Sequence, residues 1–322
     1  MHGGTSADRR RFLVGGAAAT AALLAGDAAL PAAPKGPRVV VARDKTRKAI
    51  QRHEVDGAIV QRLVDRAAMT LAGKDDVAKA WATYAGPKDK VAIKFNGLFR
   101  HASTHPEVVA AVVEGLLRAG VSPANIVVYD RNDFFANRPR FPAWRNGAAP
   151  RICLTAGSYG SKVRAGPVQT QIAKFVTEAD VLINLPMMKS HWLSGVTGAM
   201  KNHLGSVPNA REFHREGGQY IADLNALEPI KAKTRICICD ALYGLCHGGP
   251  SYTPRYRWDF HGVIASADPV ALDATLADII KAKRLEEGLS PHMRPIHHIE
   301  RAAELGVGVA DLKQINRVEV DV

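Results

Sequence analysis

Aromatic residues are scarce in this chain, 6% of 322, and cysteine occurs four times. So few cysteines over this length exclude a small disulfide-stapled scaffold. So few aromatics leave a nucleic-acid surface without its stacking platform. Also missing are a Gly-x-Ser-x-Gly elbow, a His-Glu-x-x-His helix, a Walker phosphate loop and a dinucleotide fingerprint, so esterase, metalloprotease and nucleotide-binding readings have no footing. Acidic residues are the minority charge, 31 against 43 Lys and Arg, for a formal net charge of +12. That excess points to an anionic partner, and with no recognised motif nucleic acid is not expected to be it. The remainder, 47% hydrophobic and 23% charged, is an ordinary globular composition.

The first 33 residues differ from the rest. Asp8-Arg9-Arg10-Arg11-Phe12-Leu13-Val14 precedes a run of Ala, Gly and Leu and then a Pro/Ala stretch. The apolar run is broken by Asp27 and falls short of the about 20 residues that span a bilayer. The segment resembles a twin-arginine (Tat) export signal, with Arg9 and Arg10 as the pair and Phe12-Leu13 following; Asp8 and Val14 depart from the commonest choices. The resemblance implies passage through the Tat translocase, cleavage between Asp27 and Ala33, and a periplasmic or extracellular mature protein. Removing it leaves a net charge of +11, so the basic excess belongs to the folded body.

Downstream, short β-branched runs alternate with amphipathic stretches, which predicts an α/β fold with a mainly parallel sheet and helices on both faces. One elaborated domain over residues 38–322 accommodates the pattern. Strands are expected at Arg38–Ala42, Lys90–Phe95, Asn125–Asp130, Asp180–Leu185, Arg235–Asp240, Gly262–Ser266 and Arg317–Val320. Helices are expected at Gly57–Leu71, Pro106–Ala119, Thr170–Glu178, Gln219–Leu227, Pro269–Arg284 and Ile296–Leu305. Thr104-His105-Pro106-Glu107 reads as a capping box, and Asp268-Pro269 as a cap with Pro at the first helical position. Asn132–Pro150 and Cys246–Asp259 are long enough to be binding loops.

In an open α/β sheet, ligands sit beyond the carboxyl ends of the strands. Polar residues collect there: Lys94 and Asn96, Asp130, Asn184 leading to Lys189 and His191, and Asp240. The densest stretch, Leu182–Pro208, also carries Thr197, Lys201, Asn202 and His203. Lys189 and His191 are two apart and point the same way in extended backbone. Gly195 and Gly198 permit close approach of a ligand to the backbone. A loop-to-helix junction near Thr197 would add its amides as an anion site. Cys237 and Cys239 face one side of a strand and read as buried small hydrophobes, as does Cys246; with the distant Cys153 they match no ferredoxin spacing.

Five strings, VAIKFNG, DVLINLPMMKSH, GVTGAMKNHLGSVP, ICICDALYG and VIASADPVALDA, occur in that order. Together they resemble the domain-of-unknown-function 362 family over about residues 38–285. The matching positions are Lys94, Asn96, Asp130, Asn184, Lys189, His191, Thr197, Lys201, Asn202, Asp240, Asp268 and Asp273. Many relatives carry a fused ferredoxin-like module; this chain has no Cys-x2-Cys-x2-Cys array, so an iron–sulfur cluster is not expected in it. The leading expectation is an exported enzyme acting on a small carboxylate or phosphate. His191 would be the general acid/base, assisted by Lys189, with Asp130 and Asp240 orienting it; those two carboxylates and His191 are also the candidates for a divalent metal. Lys94, Asn96, Asn184, Thr197, Lys201 and Asn202 would hold the substrate. The alternative is a metal- or iron–sulfur-linked accessory protein serving a redox partner of the cell envelope. Asp268 is expected to cap the helix that follows and Asp273 to lie on that helix at its second turn, both structural rather than reactive.

Overall fold

The computed structural model describes residues 35–99, 101–131, 151–154 (backbone only) and 158–322. The segment expected to be an export signal, Asn132–Pro150 and the Cys153 side chain lie outside the described residues. Period-two burial builds the central sheet. In β1 (Arg38–Arg43), Val39 and Val41 join one apolar cluster while Val40 and Ala42 join another on the opposite face. Such double-sided burial is what a mainly parallel sheet requires.

The other strands of the ten-stranded sheet are β2 (Val91–Phe95), β3 (Ile126–Asp130), β4 (Arg151–Leu154), β5 (Val181–Leu185), β6 (Met187–His191), β7 (Gly195–Thr197), β8 (Thr234–Leu245), β9 (Arg257–Ser266) and β10 (Asn316–Asp321). Their order is β10-β1-β9-β8-β5-β2-β3-β4, with β6 paired to β8 and β7 paired to β6. The run β8-β5-β2-β3-β4 is parallel throughout. Among the described residues, β9 runs against both its neighbours, β8 and β1, and β7 runs against β6. Helices α1 (Gly57–Ala72) and α2 (Pro106–Arg118) cover one face; α4 (Pro269–Glu286) and α5 (His297–Glu304) supply the cluster on the other. A four-residue helix, α3 (Ala199–Asn202), lies on that second face. The fold is α/β, as expected. No helix among the described residues is long and apolar enough to cross a membrane.

Three local expectations need correction. Residues 168–173 form an antiparallel hairpin with Tyr159–Ala165, and only Lys174–Glu178 is helical. Val168, Thr170 and Ile172 are buried while Gln169 is exposed and Gln171 half-buried, a period of two that overrides helix propensity and ends at the buried Ala173. The helix expected over Gln219–Leu227 contracts to Ile221–Asn225. The capping box does not form: His105 is the N-cap of α2, without a side-chain cap. Thr104 Oγ1 instead donates to the Leu185 carbonyl at 2.7 Å and accepts from Asn96 N at 3.0 Å, tying the ends of β2 and β5 together. Asp268 does cap α4, accepting from Val270 N and Ala271 N, and its other oxygen takes Val309 N.

Candidate functional site

Strand register assembles the site. Lys94 is paired across the sheet with Asn184 on one side and Tyr129 on the other. Ile93 and Phe95 pack on the α1/α2 face, so alternation turns Lys94 to the face that carries α3. After β5 the chain passes Pro186 into β6, where Lys189 stands directly opposite Thr197 of β7. Lys201 and Asn202 follow on α3. A cavity of about 90 Å³ opens there, room for a ligand of a few heavy atoms at the roughly 10–15 Å³ each water needs. Lys94, Asn96, Asp130, Lys189, Thr197, Lys201 and Asn202 all line it. Sequence reasoning missed Arg131, Gly205 and His214, which line it as well. His214 arrives from the 3-10 segment Ala210–Gly218, which carries no local motif.

A fully bonded amide network forms the floor. Asn202 Oδ1 accepts from Lys94 Nζ at 3.2 Å and from Asn96 Nδ2 at 3.1 Å. Asn202 Nδ2 donates to the Lys94 carbonyl and to Asn184 Oδ1. Asn184 Nδ2 closes the network on the Ala199 carbonyl, and Asn184 does not itself line the cavity. Buried polar groups joined in this way fix side-chain positions because any unmade bond is costly at low dielectric.

The three lysines differ in their surroundings. Lys94 Nζ is paired with Asp130 Oδ1 at 2.8 Å and also bonds the Phe95 carbonyl. Burial pulls its pKa down, while the Asp130 charge opposes the shift. Lys189 Nζ donates to Asn96 Oδ1 at 2.8 Å and to the Ala102 carbonyl at 2.5 Å. Burial, and then the charge on Lys201, lower its pKa to about 7. Lys201 has neither a hydrogen bond nor an ion pair among the described residues, and burial alone lowers it to about 7. Asp130 is the one carboxylate among the described lining residues. Besides Lys94, it accepts from Gly97 N and Arg131 N. Gly205 is required at this point, since a Cβ there would stand 2.3 Å from Asp130 Oδ1.

Two of the expected catalytic residues are not in the cavity wall. His191 Nδ1 accepts from Leu193 N and Ser194 N, and its ring stacks on His214 with centroids 5.4 Å apart. Burial and the neighbouring Lys201, His214 and Lys189 lower its pKa, so it stands neutral behind His214. Asp240 Oδ2 instead takes the backbone N and Nδ1 of His105, at 2.6 and 2.7 Å, and holds that imidazole's pKa up against burial. The metal candidates Asp130, Asp240 and His191 are therefore separately engaged. No group of three or more His, Cys, Asp or Glu that could hold a metal ion occurs among the described residues. Cys237, Cys239 and Cys246 are buried with thiol pKa values pushed up by burial.

The loop-to-helix junction also differs from expectation. Asp273 of α4 accepts from Ala199 N at 2.6 Å and Met200 N at 3.0 Å, so the protein's own carboxylate fills the α3 terminus. The glycines of this stretch make room for protein rather than ligand. A Cβ at Gly198 would lie 2.0 Å from Asp273 Oδ1, and one at Gly195 2.7 Å from the Arg294 carbonyl. Gly198→Ala should therefore destabilise the fold by about 1–3 kcal/mol, the usual cost of overpacking. Urea denaturation reads this directly, and an unchanged midpoint would show that Asp273 can move away freely.

The chain belongs to the family described as Domain of unknown function (DUF362), which matches residues 91–278. That span contains every candidate residue above. A curated relative, the thylakoid-associated protein of Synechocystis sp., is 28% identical over 225 residues, covering 62% of this chain. The alignment spans 65% of that relative's length. Among solved structures, a Thermotoga maritima protein aligns at 10% identity and a TM-score of 0.44, over 73% of this chain and 60% of the other. The lactate racemase apoprotein of Thermoanaerobacterium thermosaccharolyticum aligns at 11% identity and a TM-score of 0.44, over 75% and 57%.

Proposed function

We propose that this protein binds a small carboxylate or phosphate in the Lys94–Lys189–Lys201 cavity and acts on it as an exported enzyme. The observation that carries the reading is Thr197 Oγ1, buried without a partner, in the same cavity lining as Lys201, whose ammonium has no hydrogen bond or ion pair among the described residues. A buried cation left unbonded is costly, and an oxyanion supplies both its charge and its acceptors. Lys94 and Lys189 already have acceptors, so they set the potential of the cavity while Lys201 and Thr197 make the new bonds.

Thermal denaturation with inorganic phosphate, acetate and succinate tests the reading. An anion at a hundred times its Kd should stabilise the fold by about 2.7 kcal/mol. Lys201→Met should fold and lose that stabilisation; a shift retained in the variant would place the anion elsewhere. The export part of the proposal rests on the Arg9-Arg10 segment. Changing both arginines to lysine should leave the protein in the cytoplasm of a Tat-competent bacterium, as read by fractionation. Unaltered export would remove the twin-arginine reading.

A further inference from the structure

Lys201 differs from Lys94 and Lys189 in a way that anion binding alone does not require. A lysine that only holds charge is best kept protonated by acceptors around it, as Asp130 and two oxygens do for Lys94, and as Asn96 and the Ala102 carbonyl do for Lys189. Lys201 is buried, 8% exposed, without such support. Its charged and titratable neighbours are Lys189, His191, His214 and His298, none of which stabilises an ammonium. An amine in this setting readily gives up its proton and becomes a nucleophile.

The group next to it is suited to move that proton. His214 Nδ1 lies 3.0 Å from the Ala210 carbonyl, an acceptor, so Nδ1 carries the hydrogen and Nε2 presents a bare lone pair. That Nε2 is buried without a partner, and His214 lines the same cavity. Burial and the Lys201 charge lower the pKa of His214 to about 4, which keeps it an acceptor near neutral pH. Three unpartnered polar atoms, Lys201 Nζ, Thr197 Oγ1 and His214 Nε2, therefore belong to residues that line one cavity together with the bonded cations Lys94 and Lys189.

We infer that Lys201 forms a Schiff base with a small oxo acid whose carboxylate is drawn in by the potential of Lys94 and Lys189 and bonded by Thr197 Oγ1. The inference rests on the anion-binding reading and names its substrate class. The Lys201 amine attacks the carbonyl carbon, forming a C–N bond as the C–O double bond opens. His214 Nε2 takes a proton from the nitrogen and returns it to the oxygen, giving a carbinolamine. The nitrogen then loses its second hydrogen, the C–O bond breaks and water leaves, so amine plus carbonyl becomes imine plus water with no oxidant or reductant consumed.

Borohydride trapping tests this on the full chain with pyruvate and glyoxylate as probes, and with acetate as the anion that lacks a carbonyl. The expected result is an irreversible mass increase on the Lys201 peptide with either oxo acid, none with acetate, and none in Lys201→Met. His214→Gln should form the same adduct at least tenfold more slowly, while pyruvate still raises its melting temperature. An adduct confined to Lys189 or to surface lysines would overturn the inference. So would stabilisation by acetate and pyruvate alike with no adduct, which would leave simple anion binding standing. Neither stabilisation nor adduct would overturn the inference and the anion reading together.

Discussion

Asp130→Ala should lose about 3–5 kcal/mol of folding stability, the cost of removing one partner from a buried ion pair. Lys94 and Asp130 are 2% and 5% exposed at the side chain, so neither charge has water to fall back on. The carboxylate also satisfies Gly97 N and Arg131 N, and the substitution leaves both amides without that acceptor. Asp130→Asn should cost less, because an amide oxygen still accepts from one of them. Replacing Lys94 by Met together with Asp130 by Leu should recover much of the loss, since well-packed apolar residues often equal a buried pair. Guanidinium denaturation of the four proteins measures this. A loss below about 1 kcal/mol for Asp130→Ala, the value of a surface pair, would show that the pair is hydrated.

The affinity for a small anion should fall steeply as the pH rises through 7. Lys189 and Lys201 have pKa values lowered to about 7 in the free protein, and a bound anion favours their charged forms. Binding above pH 7 must therefore take up protons, and the affinity should drop about tenfold per pH unit for each lysine recharged. The two sites repel one another, so they titrate as a pair. Stability of the ligand-free protein should move in the opposite direction. Between about pH 7 and 10.5 the unfolded lysines hold protons that the folded ones have released, so unfolding binds protons and stability rises with pH. Calorimetric titration with phosphate or acetate in buffers of different ionisation enthalpy reads the proton uptake. No uptake at pH 8 would mean that the lysines remain charged in the free protein.

Most of the site was legible because strand ends are readable. Lys94, Asn96, Asp130 and Lys189 each stand at or just past an apolar run, and parallel register then places those ends side by side. Seven residues named from sequence line one cavity. The departures have a common physical origin, long-range pairing that no local pattern encodes. Asp240 ends part of an apolar run like the others, yet β8 continues to Leu245 and the carboxylate is spent on His105, 135 residues away in sequence. Asp273 was legible as structural, but not that it would accept the amides of a helix 74 residues upstream. His214 has no neighbouring motif and reaches the cavity only through the fold of the Ala210–Gly218 segment. The helix expected at Thr170–Glu178 overlaps the hairpin strand Val168–Ala173 because a six-residue strand with polar alternation resembles one turn and a half of helix.

The central claim is that Lys201 and Thr197 await an anion in the cavity built by Lys94 and Lys189. A crystal structure with selenate or bromide tests it most directly, because anomalous scattering locates the ion without assumption about its identity. The expected result is a peak within hydrogen-bonding distance of Lys201 Nζ and Thr197 Oγ1, absent in Lys201→Met. An empty cavity at an ion concentration that shifts the melting temperature, with the ion bound elsewhere, would contradict it.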